Sequence, residues 1–315
     1  MIQTEIEIAG ETITPGERRE IEIPVARLIT HTLLSLPVTI LHGVEPGPRL
    51  WLSAAIHGDE INGVEIIRQV LEQVHPKKLR GTLIAVPVVN LFGFLEQSRY
   101  LPDRRDLNRC FPGSPEGSLA SRLADLFMRE IVSRCTHGID LHTASDHRTN
   151  FPQIRANLLD AETYACAKAF GAPVMMHATT RDGSLRQAVA KKGIPILLYE
   201  GGEALRFDAD AIRVGTQGIL GVMNRLEMSS FPIPSTSSVE VEKTKWVRAS
   251  RGGILRLQVQ LGESVSKKQV LGIIANAFGN ERVIIKSPLA GIIIGHTQNP
   301  LVNQGDGIIH IAAYS

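Results

Sequence analysis

Short apolar segments alternate with helix-like segments between residues 49 and 226, and this alternation constrains the fold more than any other feature of the chain. The first apolar segment, at 50–56, is typical of a buried strand, whose two faces must both be apolar. In the segment at 64–74, apolar residues recur at the spacing of one helix face. Strands that alternate with helices predict an α/β fold with helices on both faces of the sheet.

The other predicted elements continue this alternation. Apolar strands are predicted at 82–89, 138–141 and 194–199, and helices at 119–132, 161–170, 185–191 and 208–226. The first forty or so residues alternate weakly between polar and apolar types, which predicts strands of period two. We therefore assign residues 1–230 to one α/β domain with a β-rich start.

The composition changes at residue 229. Residues 229–238 are rich in Ser and Pro, which predicts a semi-extended linker. Beyond it, residues 239–315 are rich in Val, Ile and Gly and lack helical periodicity. The triplet Gly253-Ile254-Leu255 is repeated as Gly291-Ile292-Ile293, which predicts a small all-β, barrel-like domain of two similar halves. Two unrelated β-meanders with recurrent glycines are the alternative.

Composition excludes several classes of protein. The 315 residues are 43% hydrophobic, with 34 Lys and Arg against 32 Asp and Glu, a net charge of +2. This content of apolar residues excludes disorder for most of the chain. The balanced charge provides no general case for binding nucleic acid or a membrane. No apolar run approaches the roughly 18 residues of a transmembrane helix.

The cysteines and the first residues bear on location. Cys110, Cys135 and Cys166 form no Cys-x-x-Cys pair, and their odd number leaves one over. The first residues are acidic and alternating, unlike a signal or transit peptide. These features favour a reducing cytoplasm.

The segment 57–60, His-Gly-Asp-Glu, is the clearest candidate for a catalytic or metal-binding site, because it follows a buried strand and precedes a helix. His57 and Glu60 can face one point if the chain bends between them, and Gly58 eases that bend. His142 closes another predicted strand, and ligands of open α/β sheets gather beyond the carboxyl ends of strands. Two histidines and a carboxylate would leave the fourth position of a tetrahedral Zn²⁺ for water. Alternatively, His57 ends a strand, Glu60 is a helix N-terminal carboxylate and His142 packs in the core.

Further motifs follow in a fixed order along the chain. They are Arg99-Tyr100, Asp106-Leu107-Asn108-Arg109-Cys110-Phe111-Pro112-Gly113, Asp140-Leu141-His142 and Tyr199-Glu200-Gly201-Gly202. With the segment 57–60, they resemble the succinylglutamate desuccinylase/aspartoacylase family over about residues 45 to 225. The resemblance implies a zinc carboxypeptidase-like, three-layer α/β/α domain with a mixed sheet. It also implies one zinc ion per chain, bound by His57, Glu60 and His142.

The same resemblance implies roles for further residues. Glu200 would be the general base, and Arg99 would polarise the scissile carbonyl. Asn108 and Arg109 would hold the α-carboxylate of the substrate, and Arg186 is a looser match to a second substrate-binding arginine. Chemistry supports these roles, because the planar fork of arginine matches a carboxylate or an oxyanion. A partly buried carboxylate is a suitable proton shuttle.

Several polar residues near these motifs have open roles. Asp140 can orient the imidazole of His142 as a hydrogen-bond acceptor, or it is a plain strand-end aspartate. Glu203 is an alternative base, although the family position favours Glu200. His137 is left unassigned, since an isolated histidine is more often a surface residue or one satisfied locally.

The C-terminal repeat resembles a biotinyl/lipoyl-like barrel. Carrier domains of this kind present a modified lysine between the two halves, but residues 275–282 contain none, so we expect no carrier role. We expect this unit to border the cleft or an oligomer interface. The family's aromatic active-site residue from this unit has no match, since Tyr314 is the only tyrosine after Tyr199.

The sequence therefore predicts a zinc-dependent amidohydrolase that removes an N-acyl group from a small amino acid or related amine. We expect an anionic substrate because Arg99, Arg109 and Arg186 would face one cleft. A metallocarboxypeptidase acting on peptides would use the same residues, and a non-catalytic binding protein is a third alternative. We expect neither nucleic acid nor a membrane as a partner, and a homo-oligomer is the common default.

Overall fold

A mixed sheet with helices on both faces forms the body of the protein in the computed structural model, which describes residues 3–145, 147–234 and 237–314. Antiparallel strands follow towards the C-terminus. The predicted linker at 229–238 includes residues 235 and 236, which lie outside the described residues.

The described residues form the following helices and strands. The α-helices are α1 (Asn62–Gln73), α2 (Leu91–Leu95), α3 (Leu119–Glu130), α4 (Ala161–Phe170), α5 (Leu185–Ala190) and α6 (Ala209–Arg225), and single 3₁₀ turns lie at Pro76–Lys78, Leu107–Arg109 and Val132–Arg134. The strands before the predicted linker are β1 (Ile6–Ile8), β2 (Glu11–Ile13), β3 (Arg18–Arg27), β4 (Leu33–His42), β5 (Glu45–Ala54), β6 (Arg80–Val86), β7 (His137–Ala144), β8 (Arg148–Ala156), β9 (Val174–His177) and β10 (Ile196–Glu203). The later strands are β11 (Val239–Val241), β12 (Thr244–Arg248), β13 (Gly253–Leu257), β14 (Ser264–Val265), β15 (Val270–Ala275), β16 (Arg282–Lys286), β17 (Gly291–Thr297), β18 (Leu301–Val302) and β19 (Gly307–Ala313).

Thirteen strands of the described residues join into one sheet. Its main path is β12-β19-β17-β8-β10-β7-β5-β6-β4-β3, and β9, β11 and β14 attach beside this path. The four middle strands, β10, β7, β5 and β6, are parallel to one another, whereas β8 and β4 flank them in the antiparallel sense. The carboxyl ends of the four parallel strands therefore lie at one edge of the sheet.

Helices cover both faces of this sheet. On one face, α1, α4 and α6 pack over a core that includes Leu52, Phe170 and Tyr199. On the other face, α3, α5 and the β1–β2 hairpin pack over a core that includes Trp51 and Phe127. Successive side chains of a strand point to opposite faces, which is why Trp51 and Leu52 belong to different cores. The predicted three-layer α/β/α architecture with a mixed sheet is confirmed.

The predicted elements differ from the observed ones mainly at their ends. The strand predicted at 82–89 ends at Val86, because Pro87 has no amide hydrogen with which to continue the ladder. Strand β10 continues past Tyr199 to Glu203, with a register shift after Glu200. Sequence analysis predicted no element at β8, although this strand is central to the sheet. No helix in the described part of the chain is long and apolar enough to cross a membrane.

The C-terminal strands are attached to the main sheet. Strand β17 pairs with β8, and β8 pairs with β10. Strands β19 and β12 then follow β17, so they extend the sheet beyond its parallel centre. The division into domains at 1–230 and 239–315 stays a prediction, and one sheet runs across it.

The two halves of the C-terminal repeat are paired in the same way. Gly253 of β13 pairs with Val302 of β18, and Gly291 of β17 pairs with Val265 of β14. Each half therefore receives a short strand from the other. The buried apolar residues of both halves form one common core. This exchange is the structural counterpart of the sequence repeat.

Gly138 leaves space for the indole of Trp51, its register partner on the neighbouring strand. A Cβ atom at position 138 would lie 2.0 Å from the Trp51 ring, which is fully buried. We expect Gly138→Ala to lower the free energy of unfolding by about 1–3 kcal/mol, because the core must shift to admit the methyl group. Urea denaturation measures this change.

Gly252→Ala is the matched control for this substitution. The nearest atom to a Cβ at position 252 is 3.5 Å away, which is ordinary contact. We expect this variant to stay within about 0.5 kcal/mol of the parent protein. If the Gly138→Ala variant is as stable as the parent protein, the indole of Trp51 does not limit the size of the side chain at position 138.

Candidate active site

One cleft at the carboxyl edge of the parallel strands collects nearly all the predicted site residues. Its volume is about 550 Å³. The predicted residues that line it are His57, Glu60, Arg99, Asn108, Arg109, His142, Arg186 and Glu200. Asp140 does not line the cleft, because it is buried behind His142. The structure therefore brings together residues from six separate segments of the chain.

The segment 57–60 leaves the end of β5 through a sharp change of direction. The left-handed residue there is Ala55, with φ of 48°, and Gly58 has no positive φ. Gly58 is required for a different reason from the one expected: a Cβ atom at this position would lie 1.9 Å from the backbone of Gly93. Close approach of two chain segments, and not flexibility, explains this glycine.

His57, Glu60 and His142 form a compact buried cluster. Nδ1 of His57 lies 2.7 Å from Oε1 of Glu60, and Nδ1 of His142 lies 2.8 Å from Oε2. The opposite ring nitrogens face carboxylates: Nε2 of His57 is 3.1 Å from Asp106, and Nε2 of His142 is 2.8 Å from Asp140. An imidazole that donates from one nitrogen to a carboxylate can offer the other to a metal ion. The cluster fits a divalent cation such as Zn²⁺, since one donor atom from each residue lies within 4.8 Å of the others.

The charges around this cluster favour a cation. Burial alone would raise the pKa of Glu60, but His57 and His142 hold that pKa well below its usual range. Burial is likewise outweighed at Asp106, where His57 and Arg99 hold the pKa of the carboxyl well below its usual range. Both carboxylates are therefore ionised at neutral pH, with Glu60 at the point on which the imidazoles converge and Asp106 on the far side of His57.

Two aspartates hold the ligand side chains from behind. Asp140 is 1% exposed, and its second oxygen accepts a hydrogen bond of 2.8 Å from Ser53 on β5. Asp106 accepts from the backbone of Asn108 at 2.8 Å and from Arg99 at 2.9 Å. Sequence analysis assigned no site role to Asp106. Its position at the start of the Asp-Leu-Asn-Arg segment, where an aspartate caps a helical turn, was the available signal.

Glu200 lies next to His142, because the two residues are register partners on the parallel strands β10 and β7. The side-chain amide of Asn150 donates a hydrogen bond to Glu200. Nε of Arg155 lies 3.6 Å from the other carboxylate oxygen. Asn150 and Arg155 both belong to β8, the strand that sequence analysis missed. They had no motif to mark them.

The predicted substrate-binding residues have structural partners as well. The side-chain oxygen of Asn108 accepts from the backbone of Leu185 at 2.9 Å, at the start of α5. The guanidinium of Arg186 donates to the carbonyls of Ala178 and Thr179 at 2.9 and 2.7 Å. Burial and the neighbouring Arg155 lower the pKa of Arg186 to about 10. Part of the hydrogen-bonding capacity of Asn108 and Arg186 is therefore used within the protein.

The lining of the cleft is strongly cationic. Seven arginines line it, against the two carboxylates of Glu60 and Glu200 among the described lining residues. The arginines are Arg99, Arg109, Arg148, Arg155, Arg181, Arg186 and Arg248. Both carboxylates already have cationic or imidazole neighbours. The cleft therefore suits a ligand that carries more negative than positive charge.

The C-terminal strands contribute an aromatic wall to the cleft. Trp246 of β12 stacks on His310 of β19, with ring centroids 4.5 Å apart and an angle of 7° between the planes. The guanidinium of Arg148 lies over the indole, 5.3 Å from its centroid. Burial, with a contribution from Arg155, lowers the pKa of His310 to about 3, so this ring is neutral. Tyr314 does not line the cleft, whereas Trp246 does.

The sequence is similar to characterised proteins. Residues 46–226 match the model of the succinylglutamate desuccinylase/aspartoacylase catalytic domain. An N-alpha-acetyl-L-2,4-diaminobutyric acid deacetylase from Halomonas elongata is 27% identical over 292 residues, covering 88% of this chain and 85% of the relative. The matched range agrees with the range of the motifs.

Solved structures have the same fold. A succinylglutamate desuccinylase/aspartoacylase from Rhodobacter sphaeroides superposes with a TM-score of 0.83 at 25% identity, covering 95% of each chain. The product-bound ectoine utilization protein EutE (DoeB) from Ruegeria pomeroyi superposes with a TM-score of 0.84 at 23% identity, covering 94% of this chain and 95% of that one. The similarity therefore extends over the C-terminal strands as well.

The role of Asp140 in orienting His142, a proposed metal ligand, can be tested by substitution. We expect Asp140→Asn to weaken zinc binding by about 10- to 100-fold, because the amide cannot accept from His142 as the carboxylate does. Competition with a chromogenic chelator measures the affinity. Asp210→Asn is the control, since this aspartate is exposed on α6, pairs with Arg213 and does not line the cleft. Unchanged affinity in the Asp140→Asn variant would show that Asp140 is only a strand residue.

Proposed function

Because the chain belongs to the succinylglutamate desuccinylase/aspartoacylase family, we propose that it is a zinc-dependent amidohydrolase that removes an N-acyl group from a small anionic amino acid. The observation that carries this proposal is the convergence of His57, Glu60, His142 and Glu200 in one arginine-lined cleft. The relative from Halomonas elongata, a deacetylase, supports the reaction class.

His57, Glu60 and His142 would hold the zinc ion. When bound, zinc would lower the pKa of a water molecule towards about 7 and so supply a nucleophile near neutral pH. The residues behind the ligands, Asp106 and Asp140, keep the two imidazoles turned towards Glu60. This arrangement leaves Nδ1 of each ring for the cation.

Glu200 is the proposed general base. It stands beside His142 at the edge of the sheet, within the cleft, and Asn150 and Arg155 orient its carboxylate. From this position it would take a proton from the attacking water and deliver it to the leaving nitrogen. A carboxylate oriented by two partners loses little entropy when it makes these transfers.

Arg99 is the proposed partner of the scissile carbonyl. Its guanidinium reaches into the cluster, 3.3 Å from Glu60 and 2.9 Å from Asp106. A fixed cation at this place would stabilise negative charge that develops on the carbonyl oxygen during attack. Asp106 and Glu60 position the guanidinium before the substrate arrives.

The remaining arginines suit the carboxylates of the substrate. Arg109, Arg155, Arg181 and Arg186 lie on the same lining as Glu200. A substrate with two or more carboxylates would find several cationic partners. A substrate with an ammonium group would find, among the described lining residues, only the carboxylates that the reaction itself uses. We therefore propose a polyanionic substrate.

The role of Glu200 is tested by Glu200→Gln. We expect turnover to fall by about 10²- to 10⁴-fold, because glutamine cannot take the proton. Zinc content, measured by elemental analysis, should stay the same, since Glu200 is not a proposed ligand. Glu203→Gln is the matched control, because Glu203 pairs with Arg206 and does not line the cleft. Loss of turnover in the Glu203 variant alone would transfer the role of base to Glu203.

The charge of the substrate is tested with a panel of N-acyl amino acids. We expect N-acetylaspartate and N-succinylglutamate to exceed N-acetylalanine and N-acetyl-2,4-diaminobutyrate in kcat/KM by about tenfold or more, equivalent to about 1.4 kcal/mol. Arg181→Gln should reduce this preference, whereas Arg213→Gln, on exposed helix surface, should not. Preference for the amine-bearing substrate would contradict the proposal.

The same panel separates the alternative functions. Dipeptides and longer peptides that react faster than every N-acyl amino acid would favour a metallocarboxypeptidase. A protein that resists zinc loading and turns over nothing in the panel would favour a non-catalytic binding protein.

A further inference from the structure

A second group of metal-ligating side chains lies at the opposite edge of the sheet from the cleft. It consists of His137, the first residue of β7, and of Glu162 and Cys166 on α4. One donor atom from each residue lies within 4.8 Å of the other two. His142 of the active site is five residues further along β7, about 16 Å away at the rise of a strand.

We propose that His137, Glu162 and Cys166 bind a second divalent metal ion of the zinc class, which joins β7 to α4. Imidazole, carboxylate and thiolate are all ligands of Zn²⁺, and a thiolate selects zinc over Mg²⁺ or Ca²⁺. The site is separate from the cleft and goes beyond the proposed function. Its role is structural.

The first support is the orientation of His137. The hydroxyl of Thr136 donates to the carbonyl of Arg49 at 3.1 Å, so its oxygen is left to accept from Nδ1 of His137 at 2.9 Å. In the tautomer with this hydrogen bond, Nδ1 carries the ring proton and Nε2 carries the lone pair. Nε2 is buried and has no hydrogen-bond partner among the described residues.

The lone pair of His137 faces another acceptor. Oε1 of Glu162 lies 3.5 Å from Nε2 of His137, and two acceptors at this distance repel each other. A cation between them would convert this unfavourable contact into two bonds.

The second support is the spacing of the three donor atoms. Glu162 and Cys166 are one helical turn apart, and Sγ of Cys166 lies 3.8 Å from Oε1 of Glu162. Tetrahedral zinc with bonds of about 2.0–2.3 Å places neighbouring ligand atoms about 3.3–3.6 Å apart. The two observed separations, 3.5 and 3.8 Å, need only small side-chain adjustments to meet this geometry.

Neighbouring residues fix the proposed ligands and leave one side of the site open to solvent. The other oxygen of Glu162 accepts from Arg225 of α6 at 3.2 Å, which fixes the carboxylate and leaves Oε1 for a metal. The Glu162 side chain is 40% exposed, so a metal ion and a water ligand can enter from that side. Cys166 is 2% exposed, so its sulfur lies on the buried side of the site. On coordination the thiol would release its proton to water and bind as the thiolate.

The test uses the sulfur ligand, which the active-site cluster lacks. The full-length protein is stripped with a chelator and reloaded with Co²⁺ or Zn²⁺ alone. We expect two metal equivalents per chain and, with Co²⁺, a sulfur-to-cobalt charge-transfer absorption band. Since His57, Glu60 and His142 contain no sulfur, this band reports only the second site.

Four variants show which residues produce the absorption band and bind the second metal equivalent. Cys166→Ser should lose the band and one equivalent, whereas Cys135→Ser, which removes another buried thiol, should keep both. His137→Gln should also lose one metal equivalent. This variant tests the second site if the Cys166 variant does not fold. His142→Ala should lose the other metal equivalent and keep the absorption band. Failure of the proposed active-site metal can therefore be distinguished from failure of the second site. One equivalent without a band in the parent protein, or a band that survives Cys166→Ser, would overturn the proposal.

Discussion

The parallel alignment of β10, β7, β5 and β6 determines where the chemistry of this protein can occur. Parallel strands need crossover connections, so every carboxyl end lies at the same edge, and the chain must leave the sheet there. At this edge, His57 follows the end of β5, and His142 and Glu200 lie on the adjacent strands β7 and β10. The register of β10 against β7 places Glu200 beside His142 without any contribution from loop conformation. The imidazole of His142 and the proposed base are therefore positioned by backbone hydrogen bonds of the sheet.

Opposite charges are kept apart within this edge. Glu60, Asp106 and Asp140 are concentrated around the imidazoles, whereas the arginines of β8 and of the segments near α5 line the outer part of the cleft. Arg99 is the link between the two zones, because it bonds to Glu60 and Asp106. A cation is thus favoured at the base of the cleft and an anion above it. The near-zero net charge of the chain hides this arrangement.

Sequence could predict those parts of the structure that local patterns encode. Apolar runs and helical spacing were sufficient for the three layers, and the ligand residues stood at the ends of predicted strands. Arg155 and Asn150 could not be found in this way, because β8 is mostly buried although many of its residues are polar, and it has neither an apolar run nor a regular alternation. Trp246 and His310 reach the cleft only because β17 pairs with β8, more than 130 residues away in the chain. His137, Glu162 and Cys166 come from two elements whose packing no local pattern encodes.

The attachment of β17 to β8 limits how the cleft can open. Backbone hydrogen bonds run without a break from the strand that bears Glu200, through β8 and β17, to the strands that bear Trp246 and His310. A hinge between these parts would have to break that ladder, so the aromatic wall is fixed relative to the proposed base. The distance between the proposed base and the aromatic wall is therefore set by strand pairing, which leaves side chains and loops to adapt to a ligand.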